Sequence, residues 1–180
     1  VSFLKHKRRT EIEAEDSWYP WVSKGNGGDI IVAFDYHICR DNKNKQDKRG
    51  HIPERHNLYY MVFDTKNNEW ENVKNEPLEM PLTKEMADEK ALVNVIPNDW
   101  TFQGVTDVDS NRNPQVIVLV GPDIGAKRSG PKRLQHYRWN GQDWIQSKNT
   151  DLPRGNGDLE VTSAKEVSIY LESEAKNDVG

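Results

Sequence analysis

Four side chains in the first third of the sequence have the types and spacing for proton transfer beside an anion. Tyr36 and His37 close one apolar run, and Arg55 and His56 open the next. If a hairpin joins the runs, these ends meet on one rim. Strand alternation would then turn Tyr36 away from His37 and Arg55 away from His56, so that one pair faces a cleft. An arginine can hold a carboxylate through two parallel N–H donors. Tyrosine and histidine can pass protons. The competing explanation is rim packing and strand capping.

A metal is a further option. His37 and Cys39 stand two apart, with His51 and His56 downstream, and zinc takes imidazole and thiolate ligands. One cysteine among scattered histidines is a weaker signal than paired C-x-x-C knuckles, and a free cysteine is often a small core residue. Since Cys39 is the sole cysteine, no internal disulfide can form and stability has to come from packing. The sequence shows no Gly-rich phosphate loop, serine nucleophile motif or H-E-x-x-H.

Two basic segments stand out against a formal net charge of −4. The loop from about Ile38 to Glu54 carries Arg40, Lys43, Lys45, Lys48 and Arg49; the segment Gly121–Arg133 carries Lys127, Arg128, Lys132 and Arg133. Focused positive potential attracts a polyanion; the alternative is a charged, solvated loop surface. The acidic balance does not indicate general nucleic-acid binding. No apolar run approaches the roughly 20 residues that span a bilayer. Hydrophobic residues make up 34% and charged residues 30%, a polar mixture, but six Trp and six Tyr argue for a packed core over disorder.

The elements that must hold these residues are strands. Asp29–His37 and Asn57–Asp64 read as two, preceded by Trp18–Ser23 and followed by Trp70–Val73. The order recurs at Phe102–Val108, Gln115–Val120, Leu134–Trp139 and Trp144–Ser147, with Asn140-Gly141 as a two-residue hairpin signal. A third copy opens at Asp158–Thr162 and Val167–Glu172. Thr83–Leu92 has helical composition, with Thr83 as N-cap. The expected fold is all-β: four-stranded antiparallel meanders at 17–73 and 101–148, with a third opening at 158–172. Repeated meanders predict β-propeller blades; a β-sandwich is the alternative. Two blades and a fragment cannot close a ring of roughly 4–8 blades, so residues 1–180 are read as one partial propeller domain that needs further blades of a parent chain.

The string Arg55-His56-Asn57-Leu58-Tyr59-Tyr60-Met61, with Trp70 and Pro81-Leu82-Thr83 after it, resembles the BNR-repeat propeller family that includes the ulvan lyases. The lead-in from Gly28 to His37 fits the same pattern, as do His136–Gly141 and Gly157–Glu160. The resemblance implies a seven-bladed propeller and a polysaccharide lyase acting by β-elimination at a uronic acid in a sulfated algal glycan. It places catalysis on Tyr36 and Arg55, with the family's catalytic histidines upstream of Val1. His37, Arg49, His56, Lys127 and Arg128 are the expected substrate-binding residues. The chemistry needs no cofactor, although related enzymes imply a structural zinc, for which His37, Cys39 and His51 are the candidates. A secreted or periplasmic location is implied too. A non-catalytic glycan-binding propeller and a protein-interaction propeller remain as other readings.

If the basic segments attract a polyanion, exchanging Lys43, Lys45, Lys127 and Arg128 for neutral residues will weaken polyuronate affinity and flatten its ionic-strength dependence. Unchanged salt dependence in a binding titration would make them solvated surface.

Overall fold

The computed structural model describes residues 7–9, 14–40, 51–121, 132–148, 157–163 and 165–171. The described elements are β-strands apart from a 3-10 turn at Asn26–Gly28 and one short helical segment, and every strand pairing among them is antiparallel. The first sheet orders β1 (Lys7–Arg9), β2 (Ala14–Lys24), β3 (Ile30–Arg40), β4 (His51–Asp64) and β5 (Glu69–Glu71) as a meander. A sixth strand, β6 (Leu92–Asn94), pairs with β4 beside β5. The second sheet is the meander β7 (Trp100–Val108), β8 (Pro114–Gly121), β9 (Arg133–Trp139) and β10 (Trp144–Gln146). A two-stranded sheet follows, β11 (Gly157–Ser163) with β12 (Glu166–Leu171). The sequence pattern does not predict β6, because three residues carry too little alternation to register as a strand.

The sheets stack, and the core lies in the seams. Ile31, Ala33, Leu58, Tyr60 and Val62 of the first sheet meet Val108, Val116, Val118, Val120 and Tyr137 of the second. Ile117, Leu119 and Leu134 turn the other way and meet Leu159 and Val161 of β11. All eight residues of β8 are therefore buried. A strand covered on both faces reads as a continuous apolar run, which is the pattern of Gln115–Val120. The opposite face of the first sheet gathers Trp18, Val32, Phe34, Tyr36, Tyr59 and Met61 under the helical segment. That segment is α1 (Lys84–Met86), which continues as a wider π turn over Ala87–Ala91. Thr83 caps it, accepting the Met86 N–H at 3.3 Å.

Trp70 and Trp144 occupy matching places. Each sits partly buried in the last strand of its meander: Trp70 packs on the Trp18–Met61 cluster, Trp144 on the seam with the first sheet. The turn before Trp144 differs from the two-residue hairpin expected. Trp139 pairs with Trp144, leaving a four-residue loop. Asn140 shapes it by accepting the N–H groups of Gln142 and Asp143 at 2.8 and 2.7 Å, an Asx turn in place of a type I′ turn. Asp64, Asn72 and Asp109 take nearby backbone N–H groups in the same way.

The first two sheets approach closely where β7 crosses β2. A Cβ added at Gly104 would stand 2.8 Å from Trp21 Cε3 and 3.0 Å from the Ile117 carbonyl oxygen. Backbone on one side and an indole on the other leave no room to give. Gly104→Ala should destabilise the intact protein by about 1–3 kcal/mol, the usual cost of overpacking, read as a lowered midpoint in thermal or denaturant unfolding.

Candidate functional site

The site is built by β3 and β4. Tyr36 lies opposite His56, and His37 opposite Arg55. Between the pairs Phe34–Tyr59 and Tyr36–His56, β3 advances two residues and β4 three. The extra residue falls at Asn57, whose φ is +62°. Asparagine tolerates this left-handed region better than most residues. Its amide is anchored on both sides: Oδ1 accepts the Ile96 N–H at 3.0 Å, and Nδ2 donates to the Tyr59 hydroxyl at 3.2 Å.

This bulge decides which side chains can meet. One extra residue exchanges the faces of everything before it in the strand. An unbroken β4 would have set Arg55 on the Tyr36 face. With Asn57 inserted, Arg55 shares the His37 face and His56 takes the place beside Tyr36. Tyr36 and Arg55, expected on one rim, therefore leave opposite faces of the paired strands. Nor do they end their strands. β3 runs on to Arg40 and β4 begins at His51, so both lie within the paired region.

The Arg55 face is a contact between three strands of the first sheet and the edge of the second. The Arg55 guanidinium lies over the Tyr19 ring, Cζ 3.6 Å from its centroid. Its Nη1 donates to the Phe102 carbonyl oxygen at 2.6 Å. The buried His37 ring meets the edge of Tyr19 at 4.8 Å. Tyr19 itself is 39% exposed, so this group reaches the surface. Beneath it lies Asp35, fully buried. Asp35 Oδ2 accepts the Thr101 hydroxyl at 2.8 Å, and Oδ1 has no hydrogen-bond partner among the described residues. Burial pushes the Asp35 carboxyl up to about 7, against the opposing pull of Arg55, Thr101, the Tyr19 backbone and His56. Asp35 therefore holds its proton well above the usual carboxylate range, and Arg55 makes no ion pair at contact distance with a described residue.

The Tyr36 face is aromatic. Trp18 meets Phe34, Tyr36 and Tyr59 edge-on, with centroids 5.5, 5.0 and 5.7 Å away. The Tyr36 hydroxyl donates to the buried Asp16 Oδ2. Lys84 Nζ sits 4.9 Å above the Tyr36 ring and pairs with Asp88, which also accepts the Tyr59 hydroxyl at 2.8 Å.

Other residues singled out from the sequence fall elsewhere. Lys43, Lys45, Lys48, Arg49, Lys127 and Arg128 lie outside the described residues. Cys39 and His51 belong to β3 and β4, with side chains outside the described set. Among the described residues no group of three His, Cys, Asp or Glu is placed to hold a metal. His37 also faces Arg55 across the strands, and a guanidinium there opposes a divalent cation. Lys132 lies 4.0 Å over the Phe102 ring, and Arg133 pairs with Asp99 at 2.6 Å, so both are engaged with the second sheet. Sequence reasoning missed Tyr19, Asp35 and Thr101. The available signal was Asp35, a carboxylate in the middle of an apolar strand, where burial needs a reason.

Comparison with known proteins bears on this geometry. No protein-family model matches the chain. Over its whole length it is 78% identical to an ulvan lyase of Nonlabens ulvanivorans, covering 38% of that protein. It is 44% identical over 99% of its length to an ulvan lyase of the PL25 type from Pseudoalteromonas sp. (strain PLSV), covering 37% of it. A solved polysaccharide lyase structure, a PL25 ulvan lyase bound to -[GlcA(1-4)Rha3S]-, superposes with a TM-score of 0.82 at 46% identity, covering 93% of this chain and 39% of that one. The chain resembles ulvan lyases from end to end. It spans less than two fifths of the length of these relatives.

The buried Asp35 predicts a pH signature. Its folded-state value lies above its ordinary one, so its contribution to stability is complete below pH 3.8 and is lost as pH rises toward about 7. Asp35→Asn removes that dependence. The stability of the variant should therefore gain on that of the parent as pH is raised from about 4 to about 7, by about 1.4 kcal/mol for each pH unit traversed. Denaturant unfolding at a series of pH values reads this directly. A difference that stays constant with pH would mean that the surrounding donors and Arg55 offset the effect of burial on Asp35.

Proposed function

We propose that this chain is part of a polysaccharide lyase that cleaves a uronate-containing, sulfated glycan of the ulvan type by β-elimination, and that its stacked meanders are consecutive blades of a seven-bladed propeller. The observation that carries the reading is the end-to-end similarity to ulvan lyases, one of them solved with a -[GlcA(1-4)Rha3S]- fragment. The repeated meander with matching Trp70 and Trp144 supports the blade assignment. An enzyme degrading a polymer of this kind works outside the cytoplasm, so a secreted or periplasmic location belongs to the proposal.

Arg55 supplies what the chemistry needs first. β-Elimination removes a proton next to a carboxylate, whose negative charge makes that proton weakly acidic. A guanidinium on the carboxylate neutralises the charge and stabilises the enolate-like transition state. Arg55 has no ion pair among the described residues and keeps in-plane donors beyond the one given to Phe102. Tyr36 is the proposed proton carrier. Its phenol is already hydrogen-bonded to the Asp16 carboxylate, an arrangement suited to moving a proton. The two side chains leave opposite faces of paired strands, so the role proposed for Tyr36 rests on the resemblance to ulvan lyases and not on its placement beside Arg55. His37, His56 and the basic segments with Arg49, Lys127 and Arg128 complete the proposed glycan contacts.

The reading is tested by incubating the intact protein with ulvan and following the ultraviolet absorbance of the unsaturated uronate product. Absorbance growth is expected; binding without product would favour a non-catalytic glycan-binding propeller. Arg55→Ala should lower kcat/KM by about 10²–10³-fold, comparable to losing one oxyanion-hole donor. Arg55→Lys should recover little, because a point charge lacks the fork. Tyr36→Phe should lower kcat with KM nearly unchanged; retained turnover with a lowered unfolding midpoint would make Tyr36 a packing residue.

A further inference from the structure

We propose that Tyr19 is the positioning residue of Arg55: its ring fixes the plane of the guanidinium so that the unused edge of the fork faces an incoming carboxylate. This inference rests on the lyase reading, in which Arg55 receives the uronate.

An arginine can be immobilised in two ways. A carboxylate partner holds it through its in-plane N–H groups and cancels its charge. An aromatic ring holds it through the flat face, leaving the in-plane donors and the charge for another ligand. The structure uses the second way. Arg55 Cζ stands 3.6 Å from the Tyr19 centroid, a face-on distance. The nearby acid, Asp35, spends Oδ2 on Thr101 at 2.8 Å. The in-plane bond from Nη1 to the Phe102 carbonyl, 2.6 Å long, sets the rotation of the guanidinium within its plane. Ring and carbonyl together define both plane and direction. The ring is itself braced, with His37 against its edge at 4.8 Å. Tyr19 pairs with Asp35 across β2 and β3, so it is carried by a regular ladder. Its 39% exposure is high for a ring with a purely packing role, and suits one face turned to Arg55 while the rest meets solvent or sugar.

The test is a double-mutant cycle in the intact protein, read as the equilibrium affinity for a uronate-containing ulvan oligosaccharide, with kcat and KM alongside. Tyr19→Ala should weaken binding by about fivefold to thirtyfold, the upper part of the range of a guanidinium–ring interaction converted to affinity. Tyr19→Phe keeps the ring and should recover most of that loss. In an Arg55→Ala background, Tyr19→Ala should cost less than about twofold, because no guanidinium remains to be aimed. An undiminished loss there would overturn the proposal and make Tyr19 a direct sugar contact. A large fall in unfolding midpoint for Tyr19→Ala, with no rescue of affinity by Phe, would overturn it in favour of packing. Parent protein that binds the oligosaccharide but forms no unsaturated product would sink the lyase reading alone, since the cycle is read in binding.

Discussion

The described strands depend on the apolar seam between the first two sheets. Neither sheet has an apolar face to spare: the first buries one face against the second and the other under the α1 segment, and the second buries its far face against β11. Burying apolar surface on both sides of a strand is what makes short meanders stable. Specific polar links also cross the seams. Asn94 donates to the Tyr137 hydroxyl at 3.0 Å, Arg112 pairs with Asp29 at 3.3 Å, and Asp107 accepts the Val161 N–H at 2.8 Å. The hydrophobic contact supplies the attraction, and these bonds choose the alignment. The candidate site lies at one end of the first seam, so its geometry is inherited from sheet packing.

The bulge at Asn57 shows how a local backbone conformation can decide chemistry. A single residue with positive φ exchanges the faces of Arg55 and His56. It sends a cation to the seam, where Tyr19, Asp35 and Phe102 can hold it. It leaves Tyr36 in an aromatic cluster with Asp16. The Asn57 side chain is tied to Ile96 and Tyr59, which ties the bulge to the segment after α1 and to the core.

The strand order was legible in the sequence, because apolar runs and turn residues report local preferences. So were the matched tryptophans and the Thr83 cap. The faces were not. Alternation assigns sides only while the register is unbroken, and the one hint of an inserted residue in Arg55-His56-Asn57-Leu58 is an asparagine inside a strand pattern. Asp35 was hidden for a related reason: its partners Thr101 and Arg55 lie 66 and 20 residues away, and only the stacking of sheets brings Thr101 near. The Asn140 loop departs from the dipeptide preference because the asparagine side chain takes two backbone N–H groups for itself, and those bonds favour the longer loop.

The bond from Arg55 to the Phe102 carbonyl has an evolutionary consequence. Any residue at position 102 offers the same oxygen, so mutation of that side chain leaves the acceptor in place. What inheritance has to preserve is the path of β7, and that path is written in residues such as Gly104 and Thr101, neither of which carries a charge. A lineage could therefore lose the aim of its guanidinium through neutral-looking changes at a strand crossing, while every ionisable group at the site remained intact.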